Sequence, residues 1–336
     1  MLTNAVWNKL GLPATGSMGL VALRLHPESR FNIFAALDRE SGHRFLLLKS
    51  DRPDLRPARS LPSGRGFSTE FVRAPSDPDG SSCLQFELTD PSHADVFDVI
   101  GNDVLSHVLQ AADDRTAFDA FVVRIDEWQH FLDQLPHEGL SDQAQQGLFA
   151  ELWFLHRLLF PEAGPQSAVR AWAGPKALAK DFQLRGLAFE VKATSAKQHS
   201  RFGISNELQL DPRGQRLILY GLLLERVVAG GMSLVDLVLA IRSNLLEADP
   251  PSAVRFSELL LQSGYSDRDA SRYTAQFAIR SQHFFDVRGD FPRIVESDLR
   301  RGVGDVRYSI LQSECEQYAI TEDEVRASMR AVLTAS

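Results

Sequence analysis

The sequence predicts an α/β or α+β fold, with helices packed on a sheet core. Three observations predict it. Short strand-like apolar runs are mixed along the chain with stretches of helical periodicity. The composition is that of a soluble globular protein, with 336 residues, 44% hydrophobic and 24% charged. The pattern also breaks at LPHEGL, 135–140, between a β-rich first part and a second part that interleaves strands with helices. The expected division is a β-rich N-terminal domain with helices over 1–138 and a second domain over 139–336.

In chain order, FNIFAALDRESGHRFLLLKS holds two apolar runs around Glu40–Ser41–Gly42–His43, a hairpin signal. The Pro/Arg/Ser/Gly-rich stretch from Asp51 to about Gly66 reads as an irregular loop. Strands are expected near Thr69–Arg73 and Cys83–Leu88, then helices from Pro91 to about Leu109 and from Asp114 to about Leu135. Ser141 is placed as the N-cap of a helix that runs to Leu159, with Pro161 stopping it. AVRAW, KDFQL, LAFEVKAT and RLILYGLLLERV read as strands, SLVDLVLAIRSNLL and SAVRFSELLLQS as helices. Gly230–Gly231 before Ser233 reads as a turn with an N-cap. YTAQFAIRSQHFFDV and VRYSILQSECEQYAI are expected as late strands, and Thr321 with Glu324 as the capping box of a closing helix.

Several function classes are excluded. No apolar run approaches the ~18 residues that span a bilayer, and MLTNAVWNKLGLPATG lacks the apolar core of a secretory signal. Cys83 and Cys315 stand far apart with no His/Cys cluster, so neither a disulfide framework nor a zinc site is expected, and the expected location is cytoplasmic. P-loop, H-E-x-x-H and G-x-S-x-G patterns are absent. The net charge of −8 argues against a protein that coats nucleic acid. The window Lys176–Arg216, however, carries eight basic and four acidic residues, a local +4 that leaves −12 on the rest. A cationic groove and a solvated face both explain that excess.

The chemistry concentrates in FEVKAT, 189–194. Strand alternation puts Phe189, Val191 and Ala193 on one face and Glu190, Lys192 and Thr194 on the other. If Arg185–Gly186 is a two-residue turn, the hairpin register sets Asp181 opposite Glu190, with Lys192 one pleat along. Two facing carboxylates repel unless a cation lies between them. A hard divalent ion held by the carboxylates, a main-chain carbonyl and waters answers that repulsion, and Mg²⁺ fits best. Glu151 falls on the buried face of its helix, between Leu148 and Leu155, as a third carboxylate in need of a partner. A surface ion-pair network is the competing reading of the same residues.

The order Glu151, Asp181, Glu190–Val191–Lys192 resembles the PD-(D/E)XK nuclease superfamily. GLFAELWFL, WAGP, KDF, EVKAT and ISNELQL resemble more narrowly a bacterial family placed in that superfamily, over roughly 140–320. Lys180 stands where a proline often precedes the aspartate. The resemblance implies a restriction-endonuclease-like core, a central mixed sheet flanked by helices, with the acids on a hairpin. It implies hydrolysis of phosphodiester bonds, usually in DNA, with Mg²⁺ as cofactor and Mn²⁺ as its substitute. Asp181, Glu190 and the main chain of Val191 would hold the metal, with Glu151 a further ligand and Lys192 the electrostatic residue. Gln209 would line the site, and Lys176, Lys180, Lys197 and Arg201 would contact phosphates, with His199 a candidate proton carrier. A restriction or phage-defence setting is implied, with an ATPase or methyltransferase as partner and a homodimer left open. The alternative is a non-catalytic subunit of the same fold that binds nucleic acid or scaffolds a defence complex.

Overall fold

The computed structural model describes residues 1–12, 19–52, 54–64, 66–73, 81–134, 138–174, 180–195 and 200–334. The chain forms two units, Met1–His137 with Ser266–Arg268, and Glu138–Tyr265 with Asp269–Ser336.

In the first unit, α1 (Asn4–Gly11) precedes a sheet of β1 (Leu20–Leu25), β2 (Asn32–Asp38), β3 (Arg44–Ser50), β4 (Phe67–Arg73) and β5 (Ser82–Leu88). The order is β1-β2-β3-β5-β4 and every neighbouring pair is antiparallel. The expected hairpin is β2–β3, with Leu37 opposite Arg44. α2 (Ala94–Leu109) and α3 (Asp114–Gln134) follow. Phe86 joins sheet to helix, its ring 5.5 Å from Phe67 and 4.9 Å from Phe97 of α2. Asn102 of α2 ties down the chain start, accepting from Leu2 N–H at 2.7 Å and donating to Leu2 O at 2.9 Å.

In the second unit, α4 (Asp142–Phe154) begins at Ser141, whose side chain accepts from Ala144 N–H at 3.2 Å. The expected stop at Pro161 does not occur. A π-turn at Leu155–Leu159 leads without a break into α5 (Phe160–Ala171), and Pro161 is accommodated just after that local widening of the hydrogen-bond ladder. The break falls instead at Gly164, with φ at 74°. AVRAW is accordingly the end of α5 rather than a strand, and Trp172 makes a single bridge to Phe182.

The central sheet is mixed. It contains β6 (Phe182–Leu184), β7 (Leu187–Thr194), β9 (Arg216–Val227), β10 (Met232–Ser233) and β11 (Gln276–Asp286), with β8 (Arg201–Ile204) outside it. The order is β10-β11-β9-β7-β6, and β7 runs parallel to β9. α6 (Leu234–Ala248), capped by the Ser233–Asp236 capping box, and α7 (Pro250–Gln262) lie between β10 and β11 in the chain. β12 (Tyr308–Leu311) pairs with β8 as a separate ribbon. VRYSILQSECEQYAI is then interrupted by α8 (Gln312–Cys315) before β13 (Ala319–Ile320), which pairs with β11. Closing helix α9 (Glu322–Thr334) carries the expected cap: Glu324 N–H donates to Thr321 Oγ1, and Thr321 N–H to Glu324 Oε2 at 2.7 Å.

Strands β7 and β9 are buried on both faces, as parallel strands usually are. Phe189, Val191, Tyr220 and Leu222 pack with α4 and α6 on one face. Ala188, Leu217 and Leu219 pack with Phe202, Phe285 and Ile310 on the other. Gly221 is required by this second layer. A Cβ there would lie 2.4 Å from the Phe202 ring. Gly221→Ala is expected to destabilise the protein by about 1–3 kcal/mol, the usual cost of overpacking, read as a lowered denaturant midpoint.

Candidate active site

The β6–β7 hairpin turns at Arg185–Gly186, with Gly186 at φ 77°, a conformation glycine adopts without strain. Phe182 faces Phe189, Gln183 faces Ala188 and Leu184 faces Leu187, the register expected from a two-residue turn. Asp181 lies one residue beyond the last pair. Its N–H donates to Phe189 O at 3.2 Å, while its Oδ2 accepts from Val191 N–H at 2.7 Å. The carboxylate therefore reaches across to the Glu190–Val191–Lys192 segment through its side chain rather than through the ladder.

Alternation along β7 turns Glu190 and Lys192 toward the face of Ala188, under the β8–β12 layer rather than toward water. Glu190 is 0% exposed. Lys192 Nζ stands 2.8 Å from Glu190 Oε1. That contact is an ion pair by distance only, because neither Glu190 oxygen receives an aligned hydrogen bond. Lys192 Nζ also donates to Gln209 Oε1 at 3.0 Å. Glu151, half-buried on α4, accepts from Trp172 Nε1–H at 2.9 Å.

The electrostatics follow from this crowding. Burial pushes the Glu151 and Glu190 carboxyls above their usual range, and the Asp181 charge pushes both further. Asp181 is also raised by burial, against the pull of Lys192, of the Val191 N–H and of Lys180. Burial works against the Lys192 ammonium, yet Glu190, Asp181 and Glu151 together hold it above its ordinary value. The site is a knot of acidic groups, each pushed toward its protonated form, around a lysine that stays charged.

These residues fit a hard divalent cation at the Asp181–Glu190 pair: the donors are carboxylate oxygens, and those of Glu190 are buried without aligned donors. Among the described residues no three His, Cys, Asp or Glu side chains converge on one metal position. The pair would thus be completed by a main-chain carbonyl, such as that of Val191, and by water, with Glu151 held back by Trp172.

The remaining candidates divide. Gln209 lies beside Lys192, and its amide oxygen accepts from Lys192 Nζ and from Ser205 N–H at 2.8 Å. Lys180 is not presented to a phosphate. It is 4% exposed, and its ammonium donates to the carbonyls of Leu208 and of Gln209, the latter at 2.7 Å. Arg201 is exposed at the start of β8. Lys176, Lys197 and His199 lie outside the described residues. Trp172 is a site residue that sequence reasoning missed, and its signal was available. A buried indole N–H seeks an acceptor, and the inward Glu151 is one. Trp172→Phe is expected to leave Glu151 without its donor and to destabilise the protein by about 1–3 kcal/mol, seen as a lower melting temperature.

No helix among the described residues is long and apolar enough to cross a membrane. No curated protein and no solved structure matches the chain. A family model described as "Putative PD-(D/E)XK family member (DUF4420)" matches residues 3–312, nearly the whole length. With the acids on one hairpin, the lysine beside them and a family match of that extent, the chain belongs to this PD-(D/E)XK family.

Proposed function

We propose that the protein is a Mg²⁺-dependent nuclease that hydrolyses phosphodiester bonds in DNA. The observation that carries this reading is Glu190, a fully buried carboxylate with no aligned donor, beside Asp181 and a charged Lys192. An arrangement so short of positive charge is costly as a structural ion-pair network. It is well suited to receiving a cation and then a phosphate.

A divalent ion bound at Asp181 and Glu190 supplies Lewis-acid polarisation of the scissile phosphate. The chain's own residues do the rest. Lys192 presents a fixed positive charge to the charge that develops on the phosphate oxygens. Gln209 keeps that ammonium from turning wholly onto Glu190. The Val191 N–H fixes the Asp181 carboxylate, and Trp172 Nε1–H fixes the Glu151 carboxyl. Arg201, exposed on β8, is proposed as a backbone-phosphate contact. A restriction or phage-defence role, with an ATPase or methyltransferase partner, is the proposed setting and rests on the family resemblance alone.

The test is purified protein with Mg²⁺ or Mn²⁺, against chelator, on plasmid, linear duplex, single-stranded DNA and RNA. Metal-dependent DNA cleavage is expected, reduced at least ~10²–10³-fold by Lys192→Met. Cleavage that survives both Asp181→Asn and Lys192→Met would defeat the assignment. Inertness of the unaltered protein on every substrate would favour the non-catalytic reading.

A further inference from the structure

We propose that Lys180 is a positioning residue, which sets the Lys192 ammonium indirectly by pinning the turn that carries Gln209. This deepens the nuclease reading and rests on it for the catalytic part of the test.

Lys180 is an expensive residue to bury. A desolvated ammonium is tolerated only where its donors are used, and burial pulls this one down to about 8 despite the nearby Glu190 and Asp211 charges. Its two hydrogen bonds go to main-chain carbonyls, those of Leu208 and Gln209. These carbonyls belong to the irregular segment between β8 and β9, a tight turn. Within it Leu208 N–H donates to Asn206 Oδ1 at 3.0 Å and Asp211 N–H to Leu208 O at 3.3 Å.

The side chain held out by that turn is Gln209. Both of its observed partners are donors, the Ser205 N–H at 2.8 Å and the Lys192 ammonium at 3.0 Å. That settles which end of the amide faces them, because only the oxygen can accept. Lys192 is thus drawn two ways, toward Glu190 and toward Gln209. Releasing the turn removes the Gln209 contact and leaves the ammonium, already 2.8 Å from Glu190 Oε1, to reorient on that carboxylate. An ammonium there neutralises a carboxylate instead of serving a phosphate. A displacement of ~1 Å at such a group costs up to ~10²-fold in rate.

The sequence places this strut next to its target. Lys180 immediately precedes Asp181, so one short segment delivers a carboxylate to Val191 and an ammonium to the 208–209 carbonyls. The Asp181 contact stays within the β6–β7 hairpin, and the Lys180 contact ties that hairpin to the β8–β9 turn.

The experiment compares Lys180→Met, Lys180→Gln and Gln209→Ala with the double variant Lys180→Met/Gln209→Ala in the full chain. Hydrogen exchange of the segment 203–210 reads the turn without reference to activity. The Met variant is expected to lose about tenfold in protection there, with α4 and β9 unchanged. Lys180→Gln, which keeps an N–H donor for the carbonyls, is expected to fall between, and it carries the test if the Met variant does not fold. In cleavage, Lys180→Met should lower kcat roughly 10- to 100-fold with KM and Mn²⁺ affinity nearly unchanged. The double variant should be no slower than Gln209→Ala alone. Unchanged protection of 203–210, or kcat losses that multiply in the double variant, would overturn the proposal. If the unaltered protein cleaves nothing, the nuclease reading fails, and the exchange measurement still decides the role of Lys180.

Discussion

Glu190→Gln is expected to make the metal-free protein more stable while abolishing any stabilisation by divalent cations. The glutamate is fully buried, neither oxygen has an aligned donor, and Asp181 repels it. Its carboxylate is kept in the fold at a cost that the isosteric amide does not bear, and Lys192 retains Asp181 and Glu151 as counter-charges. The gain expected at neutral pH is about 1–3 kcal/mol, or roughly 2–4 °C per kcal/mol for a domain of this size. The direction with pH follows from linkage. Burial, with Asp181, raises the folded-state pKa of Glu190 from 4.5 to about 8. Its protonated form therefore favours the fold. That contribution is complete below 4.5 and is lost as pH rises toward about 8. The advantage of Gln over Glu should accordingly widen across that interval when melting is followed without metal. A Gln variant less stable than the native protein throughout would show that Glu190 is a structural ion-pair partner of Lys192.

Phe154→Ala is expected to cost about 3–5 kcal/mol, the range for emptying a buried aromatic site. Phe154 is 0% exposed at the end of α4. Its ring lies 4.8 Å from Phe182, 4.8 Å from Phe189 and 5.2 Å from Tyr220, so it is the contact between α4 and three strands of the sheet. Phe182 and Phe189 directly adjoin Asp181 and Glu190 in sequence, so the cavity opens behind both acids. Chemical denaturation should show a lower midpoint with unchanged slope, and metal affinity should fall with it although no ligand is altered. A loss below ~1 kcal/mol would mean that α4 does not depend on this ring for its seat.

The acid-bearing hairpin was legible in the sequence because every signal there is local. Alternation in LAFEVKAT, Arg185–Gly186 as a turn and the resulting register are all properties of fewer than fifteen residues. The caps at Ser141 and at Thr321–Glu324 were legible for the same reason. Pro161 misled because a π-turn just before it lets the helix run on past the proline, and AVRAW because the helix resumes after Gly164. The break at Gly164 carried the real signal. Lys180 could not be read as a strut, since its acceptors are main-chain carbonyls 28 and 29 residues away and carbonyls leave no mark in a sequence. Nor did alternation foresee that the polar face of β7 would be enclosed. That depends on the β8–β12 ribbon, formed by segments about a hundred residues apart.

A nuclease of this kind requires Asp181 and Glu190 to hold a divalent cation. Calorimetric titration of the metal-free protein with Mn²⁺ and with Mg²⁺ measures this without any substrate. Binding in the millimolar range or tighter is predicted, and Asp181→Asn should abolish it while leaving the fold intact by circular dichroism. Absence of binding, or binding that Asp181→Asn leaves untouched, would contradict the account.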